Sequence, residues 1–191
     1  MLTISDPRTI PQNDLPLTVL ANQTNSIISS LIDWKTNSSV DHAMMYVTPG
    51  VFTSQAFPVY HNVPIEAYMK KGGRLKFVNF LHINGQAANA LRNAVSARMA
   101  LPWYQKMYDY LGIFGQAIGQ PWIHTPGLEY CSVDVLRCWK TAAPYLPDLD
   151  RDLILSIPNE SSPSVLDDYV KNHPEVFMVY GEYLSDDGVI V

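Results

Sequence analysis

The sequence predicts an α+β fold in which an antiparallel sheet packs against several helices. Two stretches rich in aromatic, methionine and β-branched residues, His42–Thr48 and Val51–Phe57, flank Pro49-Gly50, which is typical of a hairpin. A third stretch, Cys131–Trp139, follows a proline and a glycine and places apolar residues at one-turn intervals, which predicts a helix. A tight turn joins antiparallel strands, so we expect an antiparallel sheet.

The chain around the hairpin gives further elements. Prolines interrupt residues 1–24, so an irregular or short extended N-terminal segment is expected there. Apolar residues at helical spacing predict a helix over 25–34, followed by a polar loop. After the hairpin we expect a short helix over 64–71, ended by two glycines, and then a strand over 75–81.

The second half of the chain is predicted to be mainly helical. The alanine-rich stretch 87–100 and the stretch 103–118 are each expected to form a helix before the one that begins near Cys131. Ser162 is a suitable cap for a helix over 163–171, which begins with a proline. A last strand is expected over 176–180.

Length and composition indicate one globular domain. The chain has 191 residues, of which 47% are hydrophobic and 16% charged, and this suits a chain that buries a core without disulfides. We place the domain at 25–180, followed by an exposed tail over 181–191. The net charge of −5 argues against nucleic-acid binding.

Targeting signals are not evident in the sequence. It contains no apolar run of about 18 residues, so no membrane span is expected. The first dozen residues lack the apolar centre of a secretory signal. A cytoplasmic location is therefore the default expectation, and release by another route stays open.

Cys131 is the candidate nucleophile. At a helix N-terminus, unpaired N–H groups and the helix dipole favour a thiolate, which is the reactive form of cysteine. The other interpretation is a core cysteine, because this residue type is among the most buried. Cys138 lies about 10 Å further along the predicted helix, so we expect no disulfide between the two and assign Cys138 to the core.

His42 opens the first predicted strand and is a candidate base for the thiol. The competing histidines are His61, which is expected in a turn over Tyr60-His61-Asn62, and His82, His124 and His173. Gln55 on the next strand is the candidate group that orients the imidazole, with Ser54 and Asp41 as substitutes. The other interpretation of His42 is a surface histidine satisfied by Asp41 or a nearby hydroxyl, and that of Gln55 is a polar side chain on the solvated face of a strand.

The remaining candidates concern the oxyanion and cofactors. An oxyanion formed on attack would meet the backbone N–H of Cys131, and Tyr130, Tyr46 and Ser132 are the side chains considered for oxyanion or substrate contact. No pair of potential ligands has metal-site spacing, and there is no glycine-rich phosphate loop. The sequence therefore predicts neither a metal nor another cofactor.

Several short motifs occur in an informative order. They are the apolar helix ending at Trp34, then Asp41-His42-Ala43-Met44-Met45-Tyr46, Ser54-Gln55-Ala56, Val63-Pro64-Ile65-Glu66-Ala67-Tyr68, Met107-Tyr108-Asp109-Tyr110-Leu111 and Tyr130-Cys131-Ser132. Over about residues 25–180 this order resembles the circularly permuted, NlpC-type papain-like cysteine hydrolases of the YiiX and YebB branch. The resemblance implies a permuted papain-like fold with Cys131 as nucleophile, His42 as base and Gln55 at the third position.

The resemblance also implies a substrate class. It favours an amide in a peptide, an isopeptide or a peptidoglycan stem, cleaved through a thioester on Cys131. Hydrolysis of a lipid or ester, and acyl transfer to an amine or alcohol, are alternatives on the same scaffold. A binding or structural module without catalysis is the third hypothesis, because the family often has glutamate where this chain has Gln55 and Val133.

Overall fold

The computed structural model describes residues 2–22, 40–55, 58–69, 73–118, 120, 123, 125 and 129–185. Within them the strands are β1 (Leu17–Asn22), β2 (His42–Thr48), β3 (Val51–Gln55), β4 (Tyr60–Pro64), β5 (Arg74–Phe80) and β6 (Phe177–Leu184). The helices are α1 (Glu66–Met69), α2 (Gly85–Ala100), α3 (Tyr110–Ile118), α4 (Cys131–Ala142), α5 (Asp148–Ser156) and α6 (Pro163–Asn172). The α+β prediction is therefore confirmed.

The strands form one six-stranded sheet in the order β4-β3-β2-β1-β5-β6, and all neighbours are antiparallel. The predicted hairpin is confirmed, with Met45 paired to Thr53. Gly50 in its turn has φ of 76°, a conformation that costs other residues a steric penalty. The hairpin places β2 and β3 beside each other next to β1, which lies inside the sheet.

The structure has two strands that the sequence analysis did not assign. Residues 1–24 were expected to be irregular or short extended structure, and within them Leu17–Asn22 forms β1 between β2 and β5. Its residues are buried on both faces, so they lack the polar alternation of a half-exposed strand. His61 was expected in a turn, but it belongs to β4 and pairs with Ser54. The helix predicted over 25–34 lies outside the described residues.

The helices follow the predictions in part. The helix predicted over 103–118 is instead a 3-10 turn at Trp103–Gln105 followed by α3. The break occurs because Met107 and Tyr108 form isolated bridges with Val59 and Glu129. Helix α6 begins as predicted, with the Ser162 hydroxyl accepting from the Val165 N–H. Helix α5 was not anticipated.

The sheet separates two hydrophobic cores. On one side, called the helix face, Leu20, Ala43, Met45 and Val78 pack with residues of α2 and α4. On the other side, called the N-terminal face, Met44, Tyr46 and Phe77 pack with residues that precede β1 and with Tyr68 of α1. Alternate residues of β2 therefore face different cores.

None of the helices in the described ranges combines the length and the apolar character that crossing a bilayer requires.

Candidate active site around Cys131

Cys131 is the first residue of α4, as the sequence predicts. The N-cap residue, Tyr130, is extended, and its hydroxyl donates to the Glu160 carbonyl instead of capping the helix. The sulfur interacts with three main-chain N–H groups, those of Ala43, Cys131 and Ser132, and each of them lowers the pKa of the thiol. The head of α4 thus presents N–H groups to the sulfur, and β2 supplies one more.

Burial has the opposite effect on the thiol and is the stronger influence. The Cys131 side chain is only 1% exposed. Desolvation raises the pKa of the thiol to about 12, and the nearby Asp41 carboxylate adds to the rise. The expectation of a lowered pKa at this helix N-terminus is therefore wrong for this arrangement. Both cysteines are free and buried, and Cys138 belongs to the core as predicted.

The described contacts of His42 lie on the N-terminal face of the sheet. His42 pairs with Ala21, whose side chain belongs to the core on that face. Its Nε2 lies 2.7 Å from the Ser54 hydroxyl, and its ring stacks on Tyr68 at 6.1 Å. The thiol of Cys131 contacts the next residue of β2 from the helix face. The structure therefore brings the nucleophile to the strand that carries His42, but the strand separates thiol and ring.

Gln55 lies apart from the His42 ring. Its amide nitrogen donates to the Lys106 carbonyl at 2.9 Å, and its amide oxygen accepts from Arg98 at 3.3 Å. Arg98 belongs to α2, so Gln55 points to the helix face. The contact expected between Gln55 and His42 is not formed. Ser54, one of the two substitutes, is the residue that contacts the imidazole.

The other predicted side chains have varied positions. Tyr46 lies in the core of the N-terminal face, where its hydroxyl donates to the Pro7 carbonyl at 3.1 Å. Tyr130 stays next to Cys131 but directs its hydroxyl to Glu160. The Ser132 hydroxyl is fully buried and has no hydrogen-bond partner in the described part of the chain. Of the three, only Ser132 combines proximity to the sulfur with an uncommitted donor.

The competing histidines are engaged elsewhere. His61 contacts the Val59 carbonyl, His82 contacts Asp150, and His173 contacts Glu175. His124 lies outside the described residues. The described ranges also contain no group of three or more histidine, cysteine or acidic residues placed to hold a metal ion.

A buried charge cluster beside Cys131 was missed by the sequence analysis. Arg98 is 4% exposed and lies 3.5 Å from Glu129 and 3.4 Å from Asp134, which flank the nucleophile in the chain. Glu129 also pairs with Arg137. Helical spacing from Leu91 and Val95 places Arg98 on the buried stripe of α2, and this signal was available in the sequence.

Tyr108 is a further residue that the analysis missed. Burial raises the pKa of its hydroxyl well above the usual value, and the charge of the Cys131 thiolate is the next largest cause. Tyr108 is held beside the segment that precedes Cys131, because the backbone N–H of the next residue, Asp109, donates to the Glu129 carbonyl. Tyr108 therefore belongs to the immediate surroundings of the thiol.

The Asp134 carboxyl gives stability a pH dependence. Burial raises its pKa from 3.8 to about 7, and this outweighs Arg98 and Tyr60, which lower it. The folded chain therefore holds this proton more tightly than the unfolded chain. Its contribution to stability is present in acid and is lost as the pH rises through about 7. We expect the free energy of unfolding in urea to fall between about pH 4 and pH 7, which is the interval between the pKa of this carboxyl in the unfolded and in the folded chain.

The matched variants for this prediction are Asp134→Asn and Asp148→Asn. The first removes the titrating group, so its free energy of unfolding is expected to fall less with rising pH than that of wild type. The second changes a carboxylate whose side chain is 86% exposed and is expected to leave the decline unchanged. An undiminished decline in Asp134→Asn would assign the pH dependence to another group.

A scan against protein-family models finds no matching family, and a search of curated proteins finds no matching sequence. The functional argument therefore depends on the residues and their geometry.

Proposed function

We propose that this protein is a thiol-dependent hydrolase of the permuted papain-like type, with Cys131 as nucleophile. One observation carries the proposal. The sulfur at the head of α4 lies within a set of three main-chain N–H groups, and one of them belongs to the residue that follows His42. Such groups stabilise a thiolate and, on the same grounds, the oxyanion that forms after attack.

The proposed reaction breaks one acyl bond in two steps. The Cys131 sulfur bonds to the carbonyl carbon, the thiol proton passes to the imidazole of His42, and the leaving amine takes that proton. Water then attacks the thioester, releases the acid and restores the thiol. The proposed substrate is an amide of a peptide, an isopeptide or a peptidoglycan stem.

The proposal requires one movement. The backbone decides which face of a sheet a side chain occupies, so the backbone at the start of β2 has to rotate before the His42 ring leaves Ser54 and Tyr68 and reaches the thiol. His42 is the first residue of β2 and is only partly buried, so a rotation there disturbs less packing than one at Met44 or Tyr46 would. The move exchanges the Ser54 contact for one with Cys131, and it brings the ring to the face that carries Gln55.

A cavity of about 430 Å³ lies beside α4. Its lining begins at Glu129, two residues before the nucleophile, and includes Lys140 and Thr141 further along the helix. Leu136 and Asn159 also line it, whereas Cys131 does not, so the proposal requires the thiol to become accessible from this cavity. A chain with both apolar and polar side chains suits this lining better than a purely hydrocarbon one.

The test is the pH dependence of Cys131 alkylation by iodoacetamide, in a Cys138→Ala background so that one thiol reacts. For a hydrolase we expect a rate plateau that extends below about pH 7 and vanishes in His42→Ala, because a free thiol titrates near 8.5. His173→Ala, which alters an exposed histidine paired with Glu175, is the matched control and should keep the plateau. Cys131→Ala is expected to abolish both labelling and turnover.

A second candidate, a binding module without catalysis, is favoured by the buried thiol and by its raised pKa. For that function we expect the rate of Cys131 alkylation to rise in a single step, with an apparent pKa at or above that of a free thiol. The step should be identical in wild type and His42→Ala. This result would contradict the hydrolase. A plateau that His42→Ala removes would contradict the binding module.

A further inference from the structure

The head of α4 is covered by a residue that is distant from it in the chain. Tyr108 is 5% exposed and packs with Tyr130 and Val133, which lie on either side of Cys131 in the sequence. The backbone follows the same path, since Tyr108 forms an isolated bridge with Glu129. These contacts place the Tyr108 ring at the head of α4, where the thiol is buried.

The packing around Tyr108 is separate from the two cores of the sheet. Tyr108, Tyr130 and Val133 form a small apolar cluster of their own, whereas the inner side of α4 belongs to the core of the helix face. Burial and, next, the charge of Cys131 raise the pKa of the Tyr108 hydroxyl, which agrees with this proximity. A segment held by few apolar contacts opens at a lower free energy than a core element.

Residues 107–115, here called the lid, contain Tyr108 and most of α3. Isolated main-chain contacts tie the lid to its surroundings, because the Tyr108 N–H donates to the Pro58 carbonyl at 3.2 Å and the Asp109 N–H donates to the Glu129 carbonyl at 3.0 Å. A continuous ladder, such as the one between β1 and β5, would hold a segment more firmly.

Helix α3 adds little apolar packing to the lid. Leu111 and Phe114 are its large apolar residues with described side chains, and they are 53% and 56% exposed. The buried positions between them include Gly112, which has no side chain to pack. An ordinary surface helix buries its apolar stripe and is stabilised by it. The burial of Tyr108 is therefore the main apolar contact of the lid.

The chain is fixed immediately before the lid. The Lys106 carbonyl accepts from the Tyr60 N–H at 2.8 Å and from the Gln55 amide at 2.9 Å. Beyond this point the Asp109 carboxylate accepts from the Gly112 N–H at 2.9 Å, as an N-cap side chain does. A fixed residue followed by a capped helix allows the helix to turn as one body about Lys106.

The lid lies between the thiol and the cavity beside α4. Glu129 and Val133 line that cavity, and the same two residues contact Tyr108. Movement of Tyr108 away from them therefore opens a path from the cavity to the head of α4.

We propose that the lid closes over Cys131 and that its opening at Tyr108 joins the cavity beside α4 to the thiol. The lid turns about Lys106, while α4, the sheet and both cores stay in place. Lids of this kind exclude water from a site until a substrate enters. The role of the lid in turnover rests on the proposed hydrolase function, whereas the covering of the thiol does not.

The test is the rate of Cys131 alkylation by iodoacetamide at one pH, in a Cys138→Ala background. Tyr108→Ala removes the covering ring and is expected to raise the rate about tenfold, because the rate follows the population of the open form. Tyr108→Phe keeps the ring and should react like wild type. An equal rise in Tyr108→Phe and Tyr108→Ala would assign the effect to the hydroxyl and would overturn the lid.

A second variant disturbs the lid without changing Tyr108. In Gly112→Ala the new Cβ atom would lie 2.5 Å from the Asp109 carboxylate and 3.1 Å from the Tyr130 ring, so the lid is pushed outward and alkylation of Cys131 should also be faster. Gly85→Ala is the matched control, since a Cβ atom there meets no described atom within 4 Å, and it should leave the rate unchanged. Wild-type rates in both Tyr108→Ala and Gly112→Ala would contradict the lid.

Cys138 separates opening of the lid from loosening of the domain. It lies in the core on the same helix, so in a Cys131→Ala background it should stay unreactive when Tyr108→Ala is added. An equal rise at both thiols would overturn the lid. A rise at Cys131 alone, with a titration that His42→Ala leaves unchanged, would support the lid and contradict the hydrolase, so the two failures are distinct.

Discussion

Replacing Arg98 by alanine is expected to lower the free energy of unfolding by about 3–5 kcal/mol. Arg98 lies between Glu129 and Asp134, and all three side chains are almost fully buried. Without the guanidinium, Asp134 loses its cation at 3.4 Å, while Glu129 keeps only Arg137. The Gln55 amide oxygen also loses its donor. Asp134 then either stays an unpaired charge inside the protein or takes up a proton, and both cost free energy at a pH above about 7.

Urea unfolding of Arg98→Ala measures this loss, and Arg151→Ala is the matched control. Arg151 pairs with Asp148 and Asp152 at the surface of α5, so its removal is expected to change stability by less than about 1 kcal/mol. The loss in Arg98→Ala should shrink in acid, where Asp134 is protonated. Equal losses in the two variants would mean that the buried cluster contributes no more than a surface pair.

Replacing Trp139 by alanine is expected to cost about 3–5 kcal/mol. Trp139 is 1% exposed at the centre of the core on the helix face, with ring centroids 5.8 Å from Phe80 and 5.1 Å from Phe177. Its indole N–H donates to the Thr18 hydroxyl at 2.7 Å. Alanine leaves a cavity between α4 and the sheet and also removes the hydrogen bond to β1.

Thermal unfolding compared with Trp103→Ala tests this prediction. Trp103 is 68% exposed, so its replacement is expected to change stability by only about 0.5 kcal/mol. The stability of Trp139→Phe should lie between those of the two alanine variants, since phenylalanine keeps much of the ring volume but loses the donor to Thr18. Similar stability for Trp139→Ala and Trp103→Ala would contradict the assignment of Trp139 to the core.

Local signals explain which elements the sequence could predict. The hairpin at Gly50, helix α4 and helix α6 carry turn, spacing and capping patterns that are contained within a few residues of chain. Strand β1 carries no such pattern, because both of its faces are buried and four of its six residues are apolar without a polar alternation. Strand β4 is exposed at alternate residues and has polar side chains, so it was taken for a turn.

The site was predictable in position but not in orientation. The sequence places Cys131 at the head of a helix and His42 at the head of a strand, and both placements are confirmed. The side of the sheet that His42 faces was not accessible from the pattern of β2. Ala43 and Met45 are as apolar as Met44 and Tyr46, so period-two alternation does not distinguish the two faces. Only the cores on either side decide it.

The position of β6 has a consequence for how this chain is made. Strand β5 has β6 as its outer neighbour, so that Phe80 pairs with Phe177. A ribosome therefore has to release the chain through Leu184 before the sheet is complete, and β5 keeps an open edge until then. We expect nascent chains stalled before Phe177 to depend on chaperones, and chains truncated at that point to aggregate.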